Sequence, residues 1–467
     1  MEFEEILRIL DDVPDYKDFL CVDELNASTR QLAADYPDVV ELLNIGTSRS
    51  GESIEAIKLG HGPKTALLFG MPHPNEPIGS MMLEFFSRRL AEDDELWDGL
   101  GYTWYLVKCI DPDGARLNEG WFKGPFSLEN YARNYYRSPA YQQVAWTFPI
   151  DYKTLHFNQP IPETRALMRL IEQVRPDFMY SLHNSEFGGV YYYLWEAAPP
   201  LYDRFHKLVE SQGLPLHRGE PERPYEEEFA SAIYRDVSIT REYDYLEKHT
   251  DTDPAEIIGG GTLSFEYARR FCDPFTLICE MPYFYHPAIS DTSPSDTQRR
   301  EARLQSIAER RASVEYLTAL YESVREGLTA PSLFRDAIEE DLRTTETELA
   351  AEEEWVRADP KADGMATVAE AFDSLTIQKY YRQTMLGMFI RMIEAEILAG
   401  GPRPALRAAQ ERAQADFDRR AAALEAEIDY TVIPIQKLVR VQLGSGLLAA
   451  HYAANLRQGA ADHAARP

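Results

Sequence analysis

The feature that most restricts the fold is a change of character near Asp291. Before it, short β-branched and aromatic runs alternate with helix-patterned stretches between Gly/Pro turns, the pattern of an α/β domain built on a sheet. After it, strand signals stop. Segments such as QRREARLQSIAERRASVEYLTALYESV and AQERAQADFDRRAAALEAEI carry the Ala/Glu/Arg/Leu usage of amphipathic helices. Pro331, Pro360 and the GGPRP ending at Pro404 divide this part into roughly five helices. Two regions are therefore expected, an α/β domain over 1–290 and an all-α region over 291–467, with no fixed-period repeat.

Composition narrows the chemistry. A net charge of -29 over 467 residues opposes binding to nucleic acid or anionic membrane, and no local basic patch offsets it. The opening MEFEEILRILDDVPDYKDFL is acidic and helix-patterned, unlike a secretory signal. Runs such as FTLIC and TWYLVKCI are strand-length, too short to span a bilayer. Cys21, Cys109, Cys272 and Cys279 are widely separated and form neither a thiolate metal motif nor a disulfide framework. A cytoplasmic protein with reduced cysteines is expected.

Three strand candidates each end in a residue able to do metal or proton chemistry: KTALLFG runs into His73, FMYSL into His183, and FTLIC into Glu280. In open α/β sheets functional groups gather at the carboxyl ends of strands, so these three can converge. His73 and Glu76, in MPHPNEP, are spaced to share one face at the start of a helix continuing IGSMMLEFFSRRL, where both can reach one cation. The His-x-x-Glu spacing alone is weak, because it recurs at His183 and His217. His217 reads as a loop histidine, and Glu186 as incidental, since a catalytic zinc needs only three protein ligands and an open position.

Five pieces in register carry a resemblance. YPDVVELLNIGTSRSGESIEAIKLG, MPHPNEP, IDPDG at Ile110 to Gly114, SLHNSEFGG and FTLICEMPYF occur in the order of a helix and first hairpin, a ligand pair, a turn, a third-ligand strand and a catalytic-glutamate strand. Over Leu25 to His286 the chain resembles the zinc carboxypeptidases of the carboxypeptidase A type. The resemblance implies a mixed, mostly parallel sheet flanked by helices, and one zinc per chain held by His73, Glu76 and His183. It also implies that Glu280 is the general base. Two neutral imidazoles and one carboxylate would leave zinc one net positive charge, enough to polarise a carbonyl and activate water.

An arginine is expected to stabilise the developing oxyanion. NYARNYYR offers Arg133 as first choice and Arg137 as second, with Asn134 beside them as a substrate contact. Where the family's Asn-Arg carboxylate clamp is expected, QQVAWTFP instead places Ala145 and Trp146, and DPAEIIGGGT has no counterpart to the family's mobile tyrosine. Trp146 is expected to contact substrate. Tyr191, Tyr192, Tyr193 and Trp195 are candidates for an aromatic pocket, at least half of them turned into packing by strand alternation. The reading is a zinc hydrolase of peptide or small amide substrates, foremost a metallocarboxypeptidase. The alternatives are an amidase or deacylase, or a non-catalytic assembly protein. Tyr430 to Leu456 is the most apolar stretch of the tail and is expected to be buried, the tail making a homodimer interface or a cover over the cleft.

Overall fold

The structure, a computed structural model, describes residues 1–236 and 238–464. A nine-stranded sheet runs in the order Val40–Thr47, Ser53–Leu59, Tyr102–Val107, Lys64–Gly70, Phe178–His183, Phe275–Glu280, Tyr191–Leu194, Ile233–Arg235, Glu228–Ala230. The three strands expected from sequence lie side by side at its centre and are mutually parallel. Antiparallel pairs flank them, the hairpin Val40–Thr47 with Ser53–Leu59 on one side and Tyr191–Leu194 against Phe275–Glu280 on the other. The sheet is therefore mixed.

Central strands covered on both faces must be apolar on both, which is why KTALLFG and FTLIC read as continuous hydrophobic runs. Leu68, Tyr180, Leu182 and Cys279 point into one core, shared with helices Ile78–Glu92 and Ile435–Ala464. Leu67, Phe69, Met179 and Ile278 alternate onto the opposite face, where helix Pro162–Val174 covers them.

After Asp291 come five long helices, Arg299–Glu322, Leu333–Ala358, Gln378–Gly400, Pro404–Glu427 and Ile435–Ala464. The first four pack on one another, and Gln378–Gly400 also lies against the short helix Leu128–Asn134. The last returns to the sheet. There Tyr180 donates its hydroxyl to the Gln442 carbonyl at 3.1 Å, and Gln442 Nε2 donates to the His183 carbonyl at 2.9 Å. Gly446 permits this approach, since a Cβ there would sit 2.9 Å from the Tyr180 ring. One apolar cluster thus runs unbroken from Ile6 to Ala453. The apolar faces considered for a homodimer interface are in large part packed within the chain. Among the described residues no helix is long and apolar enough to cross a membrane.

Candidate active site

His73 and Glu76 lie in a turn and not, as expected from their spacing, on the helix itself, which begins at Ile78. Pro74 and Pro77 lack the N–H groups that a continuous helix would use. The chain leaves strand Lys64–Gly70 through Met71, whose φ of 54° lies in the left-handed region that side chains disfavour by about 1–2 kcal/mol. The turn closes with Glu76 N–H donating to the His73 carbonyl at 3.2 Å. The IDPDG motif supports it from outside: Asp111 caps helix Pro112–Phe122, and a Cβ at Gly114 would meet Pro74 at 2.6 Å. That glycine lets the cap press against the ligand turn.

His183 and Glu280 are register partners on adjacent parallel strands, so their side chains leave the sheet on the same side. Asn184 Oδ1 accepts from the Ile78 N–H at 3.1 Å and from the Tyr283 hydroxyl at 2.9 Å, tying the third strand to the turn. His73, Glu76 and His183 offer ligand atoms all within 4.8 Å of one another, and all three are buried. His73 Nδ1 is 2.9 Å from Glu76 Oε1, His183 Nδ1 is 3.0 Å from Glu76 Oε2, and the two Nδ1 atoms are 3.2 Å apart. A tetrahedral cation with bonds of about 2.0–2.1 Å sets its ligands about 3.3 Å apart. Glu76 Oε2 is buried without a hydrogen-bond partner despite its short distance to His183, so the lone pairs converge on a point instead of on each other. Ser181 Oγ lies 2.8 Å from His183 Nε2, and the tautomer that donates there has Nδ1 as its bare lone pair. The donor set fits zinc.

The electrostatics agree. Burial and the nearby Arg137 push the His73 imidazole down to about 3, keeping it neutral. Burial raises the Glu76 carboxyl, but the two imidazoles outweigh it and hold the group below the usual carboxylate range. Burial, then the charges of Glu76 and Glu222, push the Glu280 carboxyl well above its ordinary value, against the pull of Arg137. All these groups line one cavity of about 120 Å³.

Of the two candidate arginines, only Arg137 reaches this cavity. Its guanidinium donates to His73 Nδ1 at 3.1 Å and lies 3.5 Å from Glu76 Oε1. Arg133, the first choice from sequence, points the other way and pairs with Glu394 of helix Gln378–Gly400. Asn134 is likewise displaced, its amide donating at 3.0 Å to Asn130. The cause is tail packing. A Cβ at Gly387 would sit 2.0 Å from the Ala132 carbonyl, so the tail helix covers the face that carries Arg133.

Trp146 lines the cavity, and so do Ala145 and Tyr193. Alternation removes Tyr192, which stacks on Phe205 at 4.4 Å on the other face, while Trp195 packs under Arg269. Sequence reasoning missed several groups in this cavity. Glu186, set aside as incidental, is buried there, its carboxyl pushed up to about 7 by burial. Arg223 lies over the Trp146 ring at 5.6 Å, from a charged loop with no motif. Tyr381 arrives from the tail.

A family model described as zinc carboxypeptidase matches residues 25–302. Zinc carboxypeptidase A 1 of Anopheles gambiae is 28% identical over 178 residues, covering 34% of this chain and 41% of that protein. Carboxypeptidase B of Astacus astacus is 28% identical over 105 residues, covering 21% of this chain and 35% of its own. The chain thus spans less than half the length of these relatives. Among solved structures, carboxypeptidase A from Helicoverpa armigera aligns with 76% of this chain and 82% of its own at 13% identity and a TM-score of 0.38. A metallo-carboxypeptidase from Burkholderia cenocepacia aligns with 56% of this chain and 60% of its own at 15% identity and a TM-score of 0.33. With the model matched over more than half its length, the chain belongs to the zinc carboxypeptidase family.

Proposed function

We propose that the chain is a zinc-dependent hydrolase of peptide bonds acting as a carboxypeptidase. The observation that carries this reading is the His73–Glu76–His183 cluster facing Glu280 and Arg137 in one cavity. Those three residues would hold the ion. Zinc there supplies Lewis-acid chemistry, polarising an amide carbonyl and making water acidic near neutral pH.

The chain's own residues do the rest. Glu280, as the carboxylate, takes a proton from the attacking water and passes it to the leaving nitrogen, a role worth about 10²–10⁴ in rate. Arg137 presents N–H donors to the carbonyl oxygen as charge builds on it, in a cavity where few waters compete. Arg223 supports recognition of a free C-terminal carboxylate. It restores a cation to the Trp146 wall, where the sequence lacks the family's clamp. Its nearest carboxylates, Glu222 and Glu226, are both 3.8 Å away, beyond hydrogen-bonding distance, so its donors are available to a ligand. Cys21, Cys109 and Cys279, none of them in a disulfide, support a reducing, cytoplasmic setting.

The test is zinc content per chain, together with mass-spectrometric product analysis on free-carboxylate peptides, their C-terminal amides and N-acyl amino acids. Stepwise loss of C-terminal residues from the free peptides alone supports the reading. Cleavage confined to N-acyl amino acids would replace it with a deacylase.

A further inference from the structure

The catalytic cavity does not end at the zinc-type cluster. Ser185, Glu222 and Tyr381 also line a second cavity of about 190 Å³, lying between the α/β body and the tail helices. The first cavity, about 120 Å³, is the smaller of the two. At the junction, Ser185 is 9% exposed and its Oγ is buried with no hydrogen-bond partner. An unmet buried hydroxyl is costly, and a ligand passing there would recover that cost.

The second cavity has an excess of negative charge. Glu220, Glu222, Glu352 and Asp373 line it against Arg303 and Arg310. Arg310 pairs with Glu352 and Arg299 with Glu220, at 2.7 and 2.8 Å, whereas Glu222 lies 3.8 Å from Arg223 and Asp373 3.7 Å from His217, so these two carboxylates keep the looser ionic partners. Asp373 opens a π-helical turn, Asp373–Ile377, and accepts the Glu220 N–H at 2.9 Å. Such turns re-aim side chains and are frequent at functional sites. The -29 net charge of the chain reinforces the local sign.

We propose that the substrate extends past Ser185 and Tyr381 into this second cavity and places a cationic side chain there, near Asp373. The inference rests on the peptide-hydrolase reading, but it is tested by binding and needs no turnover. Zinc-loaded full-length chain carrying Glu280→Gln is titrated calorimetrically with tripeptides bearing lysine, or its neutral counterpart norleucine, at each position in turn. At one position lysine binds at least about 10-fold more tightly. Adding Asp373→Asn, which keeps an acceptor for the Glu220 N–H, narrows that ratio to under about 3-fold. Gln378→Lys, which adds a cation to the lining and leaves the Asp373 carboxylate in place, does the same and guards against a folding defect in the first variant. Ser185→Ala weakens both peptides about equally, by about 2- to 10-fold, as loss of one hydrogen bond would. Equal affinity of lysine and norleucine peptides at every position, no binding of either, or a ratio unmoved by both charge variants would overturn the proposal. Hydrolysis of the same peptides by the wild-type chain reports separately on the reading beneath it.

Discussion

One wall of the catalytic cavity is made by strand ends and the other by the tail, and the two satisfy their charges differently. On the strand wall His73, Glu76 and His183 converge to about 3 Å with their polar atoms aimed at a common point. On the tail wall Tyr381 closes the cavity, and behind it Asp373 has His217 as an ionic partner only at 3.7 Å and Ser185 Oγ has no hydrogen-bond partner. Adjacent parallel strands hold His183 and Glu280 in register, and the turn that leaves the neighbouring strand brings His73 and Glu76 to within hydrogen-bond distances of His183. A helix docked onto that frame sets instead the shape and charge of the space substrate can use.

The largest effect should come from removing the part of the tail that belongs to the strand wall. Leu438, Val439, Val441, Leu443, Leu447 and Leu448 are all buried, each worth about 1.5–3 kcal/mol. Together they contribute about 9 kcal/mol or more, comparable with the whole stability of a domain. Truncation after Pro434 should therefore abolish cooperative folding, seen by circular dichroism and soluble yield. A soluble, cooperatively melting product would show that the sheet closes without that helix.

Within the strand wall, Glu280→Gln should retain zinc while turnover falls by about 10² or more. Near wild-type turnover would move the base to Glu186, another buried carboxyl in the cavity. The arginines separate the two walls directly. Arg137→Ala should lower kcat by about 10²–10³ as the loss of an oxyanion donor, whereas Arg133→Ala, which breaks a partly exposed pair with Glu394, should leave kinetics within about 2-fold. Equal losses would mean that the tail contact transmits strain to the site.

The smallest effect concerns stability against pH on the tail wall. Burial pushes the Asp373 carboxyl up to about 6, with Glu220 and Glu222 adding to the rise and His217 opposing it. An acid whose folded-state pKa is raised holds its proton longer when folded. Its contribution is fully present below about pH 4 and is lost as pH rises through about 6. Wild type minus Asp373→Asn in unfolding free energy should thus fall by up to about 3 kcal/mol between pH 4 and 7. A flat difference would place that carboxylate in contact with water or a cation.

The sequence alone determined the central strands and what stands at their ends. KTALLFG, FMYSL and FTLIC are read correctly because strands buried on both faces carry no charged residue past their first position, and the chemistry begins where they stop. The arginine, the tail and the second cavity were decided by tertiary structure. Arg133 and Arg137 are equivalent in local sequence, and only the approach of helix Gln378–Gly400 to Ala132 turns one away and leaves the other beside His73. Tyr381 and Arg223 reach the cavity from segments with no motif, through packing between residues hundreds of positions apart. Periodicity and spacing describe neighbours along the chain. Which distant surfaces close over a strand end depends on shape complementarity of the whole core, and that information is not local.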